Sequence, residues 1–180
     1  LKAAGLFEMS FVYGYDEVDP WPGIADKFNA IHQRHPGLRT ATTLIDMSFG
    51  TSAQTSYLRE AVDIWVPQLP WYNEDEALVL RQEGREMWWY NCVSPRYPYP
   101  NFFVHYPAIE ARLLMGTMAY KYRTGGHLYW STCRWVNNDS PITGGPYTNW
   151  DPYSYSEPGD GSLILPGPTG PVSTLPLANI

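Results

Sequence analysis

The chain has 180 residues, of which 44% are hydrophobic and 17% are charged, and this composition predicts a single globular domain rather than a disordered chain. Lys and Arg number 12 and Asp and Glu number 18, so the formal net charge of −6 argues against a nucleic-acid partner, because binding phosphates requires clustered cations. The sequence contains no apolar run of about 18 residues, the length that predicts a transmembrane helix.

Apolar runs and helical segments alternate along most of the chain. Five short runs rich in Val, Ile, Tyr, Trp and Thr predict strands at residues 9–15, 38–45, 61–67, 87–92 and 127–132. Helical spacing and end signals predict helices at residues 22–35, 73–84 and 107–123, with at most a short turn at 55–60. Several of the strands are apolar on both faces, as in buried parallel sheets. The order of elements therefore predicts an α/β fold with parallel strands.

The size of the chain limits how much of a larger architecture it can hold. A complete (β/α)8 barrel takes about 250 residues, or roughly 31 for each strand–helix unit, so five strands suit this length and eight do not. The amino-acid composition changes after the fifth predicted strand, and residues 136–180 are rich in Pro and Gly. These residues predict a long loop and tail that belong to the same domain.

The best candidate for chemistry is the pair Asp16 and Glu17, which directly follows the first predicted strand. In parallel α/β folds, ligands bind at the carboxyl ends of strands, so the pair is expected at the functional edge of the sheet. Adjacent carboxylates raise each other's proton affinity, which can keep one protonated as a general acid. The competing interpretation is that Asp16 caps the next turn and Glu17 faces solvent.

Aromatic and polar residues crowd the same strand ends. Phe, Tyr and Trp make up 16% of the chain, and their rings suit the C–H face of a sugar as well as a protein core. Because neighbours on a strand point to opposite faces, about half of these side chains are expected to be core residues. The candidates for contact with a sugar are Tyr15, Trp65, Tyr90, Asn91, Trp130 and Trp135.

The remaining polar residues give weaker indications. Asp63, in the third predicted strand, is expected to be a buried aspartate with partners rather than a catalyst. Cys92 and Cys133 could form one disulfide if the fold brings them together, and the sequon at Asn138 would suit glycosylation of a secreted protein. No zinc-ligand spacing or phosphate loop occurs, so no metal and no cofactor are predicted. We expect an extracellular, periplasmic or lysosome-like location, although the chain shows no signal sequence.

These motifs together resemble the catalytic domain of glycoside hydrolase family 123, which overlaps the domain of unknown function 4091 and includes β-N-acetylgalactosaminidases. The matching segments follow family order at residues 13–17, 62–67, 88–92, 99–101, 110–112, 126–130 and 159–161. The resemblance implies a (β/α)8 barrel, a glycan substrate and a retaining, substrate-assisted mechanism. In such a mechanism, the sugar's own 2-acetamido oxygen attacks the anomeric carbon.

The resemblance also implies a role for four residues. Glu17 would be the general acid/base that protonates the leaving oxygen, and Asp16 would orient the acetamido group and stabilise the oxazolinium-like intermediate. Tyr90 would donate a hydrogen bond to the acetamido oxygen, and Trp130 would form the floor under the sugar ring. An adjacent pair suits this division, because one carboxylate can stay charged beside the developing cation while the other holds a proton.

Two departures from the family pattern keep a second hypothesis open. The family motif continues Asp-Glu-Pro, whereas Val18 follows Glu17 here. The chain also corresponds to about strands four to eight of the barrel, so N-terminal barrel segments or another chain would have to complete it. The second hypothesis is a non-catalytic carbohydrate-binding or structural component built on the same barrel.

Overall fold

The structure, a computed structural model, describes residues 1–137, 140–141, 157–167 and 169–180. Its strands are β1 (Phe11–Asp16), β2 (Arg39–Thr43), β3 (Ile64–Trp65), β4 (Glu86–Met87), β5 (Trp89–Asn91), β6 (His127–Tyr129), β7 (Val136–Asn137), β8 (Ser140–Pro141), β9 (Ile164–Pro166) and β10 (Pro171–Ser173). Its α-helices are α1 (Pro22–Arg34), α2 (Glu74–Gln82), α3 (Ile109–Arg112), α4 (Ala119–Tyr122) and α5 (Leu175–Ala178). Short 3-10 helices occupy Lys2–Ala4, Phe7–Met9, Ser56–Leu58 and Leu69–Trp71. Helices and strands are therefore mixed, in agreement with the predicted α/β class.

The described chain divides into two compact units, and the first comprises residues 1–89 and 124–127. Its centre is a four-stranded sheet in the order β1-β2-β3-β4. All three neighbouring pairs are parallel. The carboxyl ends of these strands therefore lie at one edge of the sheet, as the alternation of strands and helices predicts.

Two helices of the first unit begin and end where the sequence signals place them. α1 starts with Pro22 in its first turn, where the missing amide proton costs nothing, and it ends before Gly37, whose φ is 87°. α2 begins after Asn73, whose side-chain oxygen accepts hydrogen bonds from the amides of Asp75 and Glu76 at 3.1 and 3.4 Å. Both helices bury one apolar face, so tertiary packing reinforces these local signals.

The apolar core of the first unit combines residues from both helices, the strands and the loops between them. Its members are Ile24, Ala25, Phe28, Leu44, Phe49, Leu58, Ala61, Val62, Trp65, Ala77, Leu80 and Met87. Each of these side chains is at most 5% exposed. A sheet that packs helices in this way holds the ends of its strands in fixed positions.

The second unit comprises residues 90–123 and 128–180, as far as the structure describes them. A helical segment runs from α3 through a π-helical stretch, Leu113–Met118, into α4, and it ends at Arg123, whose φ of 50° is left-handed. The strands outside the parallel sheet form three pairs, β5 with β6, β7 with β8 and β9 with β10. No helix in the described ranges is long and apolar enough to cross a membrane.

Candidate active site

The predicted carboxylate pair lies at the carboxyl end of β1, where the strand is irregular. β1 and β2 pair regularly from Phe11 opposite Arg39 to Tyr13 opposite Ala41, and the next pair is Asp16 opposite Thr43. Three steps along β1 therefore match two steps along β2, which is a β-bulge. In an unbroken strand Tyr13 and Asp16 would point to opposite faces, because side chains alternate. The irregular backbone of the bulge interrupts this alternation and brings both side chains to the same face.

Two hydroxyl groups hold the Asp16 carboxylate. The hydroxyl of Tyr13 donates to Asp16 Oδ1 at 2.6 Å, and the hydroxyl of Thr43 donates to the same oxygen at 2.7 Å. The two hydroxyl oxygens are 2.8 Å apart. Since both bonds use Oδ1, the second carboxylate oxygen of this exposed side chain is left for a ligand.

The backbone around Asp16 adopts conformations that side chains other than glycine rarely take. Tyr15 has a φ of 62° and Glu17 a φ of 49°, so left-handed residues flank Asp16 on both sides. The Thr42 hydroxyl donates to the Tyr15 carbonyl at 3.1 Å, and the Glu17 amide donates to Thr43 Oγ1 at 3.3 Å. Backbone strain of this kind persists where the surroundings compensate for it, and it concentrates at functional sites.

The hydroxyl of Tyr13 is a proton donor at every physiological pH. Partial burial, and next the hydrogen bond to the Asp16 carboxylate, raise the pKa of Tyr13 from 10.0 to about 12. The phenol therefore remains protonated near neutral pH and can donate to Asp16.

Two sugar-contact candidates of the first unit pack against other apolar side chains. The Tyr15 ring contacts the rings of Phe28 and Trp21 edge to face, at centroid distances of 5.4 and 6.2 Å. Trp65 is 1% exposed and lies 6.0 Å from the ring of Phe49 in the core. These positions leave Tyr15 half-buried and give Trp65 no surface for a sugar.

Trp130, a sugar-contact candidate of the second unit, is fixed by a buried carboxylate. Asp160 is 3% exposed, and its Oδ1 accepts hydrogen bonds from Trp130 Nε1 at 2.9 Å and from the Tyr129 hydroxyl at 3.2 Å. The Tyr129 hydroxyl oxygen in turn accepts from the Gly161 amide at 2.9 Å. The guanidinium of Arg134 lies 5.3 Å from the centre of the Trp130 ring. This cation lies over one face of the ring, as in a cation–π contact.

The other candidates of the second unit are held by backbone carbonyls or are buried. Tyr90 is 3% exposed. Asn91 is fully buried, and its amide nitrogen donates to the Pro100 carbonyl at 2.9 Å. Trp135 Nε1 donates to the Ile164 carbonyl at 2.7 Å. Of these three, Trp135 retains exposed ring surface.

The structure forms no disulfide between the two cysteines. Cys133 is exposed and pairs with Ser162 in an isolated antiparallel bridge, whereas Cys92 lies in the turn after β5, where its amide donates to the Ser94 carbonyl. The bridge considered from the sequence is therefore absent from this structure, and the pairing of the two cysteines stays a prediction. The predicted glycosylation site, Asn138, lies outside the described residues.

Asp63 has the partners that the sequence suggests, but its side chain is 20% exposed rather than fully buried. Its carboxylate contacts His32 Nε2 at 2.7 Å, Arg85 Nη1 at 2.8 Å and the Thr40 amide at 2.9 Å. Every one of these partners lies in the first unit, next to the amino end of β3, away from the carboxyl ends of the strands. In the part of the chain that the structure describes, no three His, Cys, Asp or Glu side chains cluster as metal ligands would.

Thr43 and Tyr13 belong to the site but were not among the sequence candidates. Both lie in correctly predicted strands. A hydroxyl at the carboxyl end of the neighbouring strand would have been a reasonable signal for Thr43. Tyr13 gave no such signal, since strand alternation places it on the face opposite Asp16 and only the bulge reverses this.

A carboxylate pair at the carboxyl edge of a parallel sheet, beside hydroxyl donors, is an arrangement suited to acid/base chemistry on a polar substrate. The model of the glycoside hydrolase 123 catalytic domain matches residues 1–180. The chain therefore belongs to this family of glycoside hydrolases, as its motifs indicate. A comparison with curated protein sequences finds no match to the chain.

Proposed function

We propose that this protein hydrolyses terminal β-linked N-acetylgalactosamine, or a related N-acetylhexosamine, by a retaining, substrate-assisted mechanism. The observation that carries the proposal is the position of Asp16 and Glu17 in a strained bulge at the carboxyl end of β1, with Asp16 anchored by two hydroxyls. The parallel order β1-β2-β3-β4 supports, as part of the same proposal, a (β/α)8 barrel architecture.

In the first step, the 2-acetamido oxygen of the sugar forms a bond to the anomeric carbon while the glycosidic bond breaks. Glu17 gives its proton to the leaving oxygen, so the aglycone departs as a neutral alcohol. The negative charge of Asp16 faces the acetamido N–H and stabilises the positive charge that develops on the oxazolinium ring. Asp16 supplies this charge without forming a bond to the sugar, which distinguishes it from an enzyme nucleophile.

In the second step, water adds to the anomeric carbon and opens the oxazolinium ring. Glu17, now a carboxylate, takes a proton from the water and returns to its starting state. The two inversions at the anomeric carbon give net retention. The acetamido group re-forms, so no group other than the aglycone leaves the substrate.

The test is hydrolysis of chromogenic β-glycosides by the full protein, its Glu17→Gln variant and the matched control Glu60→Gln, which changes another exposed glutamate of the same unit. We expect Glu17→Gln to lower kcat for an alkyl or weakly activated aryl N-acetylgalactosaminide by about 10²- to 10⁴-fold, because an amide cannot donate the proton. Glu60→Gln should retain the parental rate.

The same assay tests the mechanism when the sugar is varied. A β-galactoside that carries a 2-hydroxyl in place of the 2-acetamido group should not be hydrolysed, because it lacks the internal nucleophile. Equal rates for the two sugars would contradict substrate assistance. Glycan binding without any hydrolysis would instead support the carbohydrate-binding alternative.

A further inference from the structure

Thr43 contacts both members of the carboxylate pair through one hydroxyl. It is the last residue of β2 and is 1% exposed. Its Oγ1 donates to Asp16 Oδ1 at 2.7 Å and accepts from the Glu17 amide at 3.3 Å. A threonine hydroxyl has one proton to give, and here it is directed at the carboxylate, while a lone pair receives the amide. The side chain of Asp16 is thereby connected to the backbone of Glu17.

The carboxylate pair lies on an exposed segment of the chain, whereas Thr43 is buried. Asp16 and Glu17 are both exposed, so neither side chain belongs to the apolar core. The left-handed φ of 49° at Glu17 is unfavourable for a residue with a side chain unless its surroundings compensate for it. Thr43, by contrast, is buried in the parallel sheet, and its branched side chain restricts the direction of Oγ1. A buried hydroxyl therefore contacts an exposed segment whose backbone conformation requires compensation.

We propose that Thr43 is a positioning residue that sets the relative geometry of Asp16 and Glu17, an inference that rests on the proposed glycosidase function of this site. Thr43 does not touch the substrate. It directs Asp16 so that Oδ2 faces the acetamido group, and it fixes the backbone from which the Glu17 carboxyl extends. Misplacement of catalytic groups by about 1 Å can cost roughly 100-fold in rate, so the loss of this anchor lowers kcat.

Tyr13 also positions Asp16, but we expect its contribution to be smaller than that of Thr43. It donates to Asp16 Oδ1 at 2.6 Å, but it makes no contact with the Glu17 amide and is 39% exposed. Water can therefore replace its hydroxyl, whereas water cannot reach the position of the Thr43 hydroxyl without displacing buried atoms. The two residues are expected to differ in effect for this reason, although both donate to the same oxygen.

The experiment compares Thr43→Val, Thr43→Ser and Tyr13→Phe with the parental full protein. Valine keeps the shape of threonine and removes the hydroxyl, so Thr43→Val should lower kcat by about 10- to 100-fold with KM nearly unchanged. Thr43→Ser restores the hydroxyl with a less restricted rotamer and should recover kcat to within about 5-fold of the parent. Tyr13→Phe should lie between the parent and Thr43→Val.

The matched control is Thr40→Val, at the opposite end of the same strand. Thr40 is also buried, and its hydroxyl donates to the Ala61 carbonyl at 2.7 Å. This variant loses a buried hydroxyl bond of the same kind and should keep the parental kcat in its folded fraction. If Thr43→Val and Thr40→Val lower kcat equally, or if Thr43→Ser fails to recover it, the positioning role is overturned and a structural role remains.

A crystal structure of each variant separates this inference from the proposed function. The Asp16 carboxylate should be displaced or disordered in Thr43→Val and unchanged in Thr43→Ser and Thr40→Val. An inactive parental protein would overturn the glycosidase proposal, and the carboxylate position would still decide whether Thr43 anchors Asp16. An unmoved Asp16 in Thr43→Val would overturn the inference even in a fully active protein.

Discussion

Asp16 in the first unit and Asp160 in the second are both aspartates that accept two hydrogen bonds on one oxygen, yet they differ in exposure. Asp16 is exposed and accepts from the hydroxyls of Tyr13 and Thr43. Asp160 is 3% exposed and accepts from the indole of Trp130 and the hydroxyl of Tyr129. Asp160 Oδ2 has no hydrogen-bond partner among the described residues and is itself buried.

The difference indicates what each carboxyl group can do. Burial raises the pKa of Asp160, because a desolvated charge is unfavourable. The hydrogen bonds to its carboxylate lower the pKa, but their effect is smaller than that of burial. Asp160 is thus a framework group that holds two aromatic side chains. Asp16 keeps an oxygen at the surface, where it can meet a ligand, and the bonds on its other oxygen only orient it. Exposure of the carboxyl group, rather than the number of hydrogen bonds, distinguishes the proposed site residue Asp16 from the buried Asp160.

The largest expected effect comes from making the same substitution at both aspartates. Asp16→Asn removes the charge that stabilises the oxazolinium ring in the proposed mechanism, so kcat for an N-acetylgalactosaminide should fall by about 100-fold or more. Asp160→Asn keeps the accepting oxygen and should change kcat by less than about 3-fold. Steady-state kinetics on both variants checks this. The comparison breaks down if Asp160→Asn is the more damaging of the two.

A second expected effect concerns stability and reverses the order of the two sites. Asp160→Ala leaves the indole N–H of Trp130 and the hydroxyl of Tyr129 without their acceptor and opens a small cavity. The free energy of unfolding should fall by about 2–4 kcal/mol. Asp16→Ala should cost less, about 1 kcal/mol, because the Tyr13 hydroxyl lies 2.8 Å from Thr43 Oγ1 and can accept the Thr43 proton instead. Urea denaturation of the two alanine variants makes the measurement, and equal losses would remove the distinction between framework and site.

The smallest expected effect is a pH dependence carried by Asp160. Its pKa in the folded protein is raised from 3.8, so the folded state holds this proton more tightly than the unfolded state does. The stability that the protonated form contributes is complete below pH 3.8 and is lost as pH rises through the folded pKa. Asparagine carries no such charge. The thermal unfolding temperatures of the parent and Asp160→Asn should therefore be similar in acid. As pH rises towards neutrality, the unfolding temperature of the parent should become lower than that of the variant. A constant difference at all pH values would contradict this linkage.

Much of the first unit follows from the sequence. The helix at residues 22–35 is observed as Pro22–Arg34, and Asn73 caps α2 as expected. These features are local, since proline, glycine and asparagine act on their own backbone neighbours. The predicted strand at 87–92 is instead divided into β4 and β5, because the chain leaves the parallel sheet after Met87. Strand boundaries of that kind depend on distant partners and cannot be derived from one segment.

Only part of the candidate site could be predicted from the sequence, for the same reason. The position of Asp16 and Glu17 at the carboxyl end of β1 could be predicted because a strand end is a local feature of the sequence. The environment of Trp65 could not, since a tryptophan at a strand end suits both a core and a sugar platform. Thr43 lies next to Asp16 because β1 and β2 pair, although the two residues are 27 positions apart in the sequence. Such register is set by tertiary structure.

The bulge in β1 means that the site depends on backbone register as well as on residue identity. It lets Asp16, three residues after Tyr13, reach the same face as Tyr13 and Thr43. Regular alternation over the same residues would leave every named side chain in the chain but would place the Asp16 carboxylate on the face opposite Tyr13. A relative that retains the carboxylate pair on a strand of the same length without the bulge would thus conserve the motif and lose its geometry. For this segment, the pairing of β1 with β2 is as informative as motif identity when sequences are sorted into active and inactive forms.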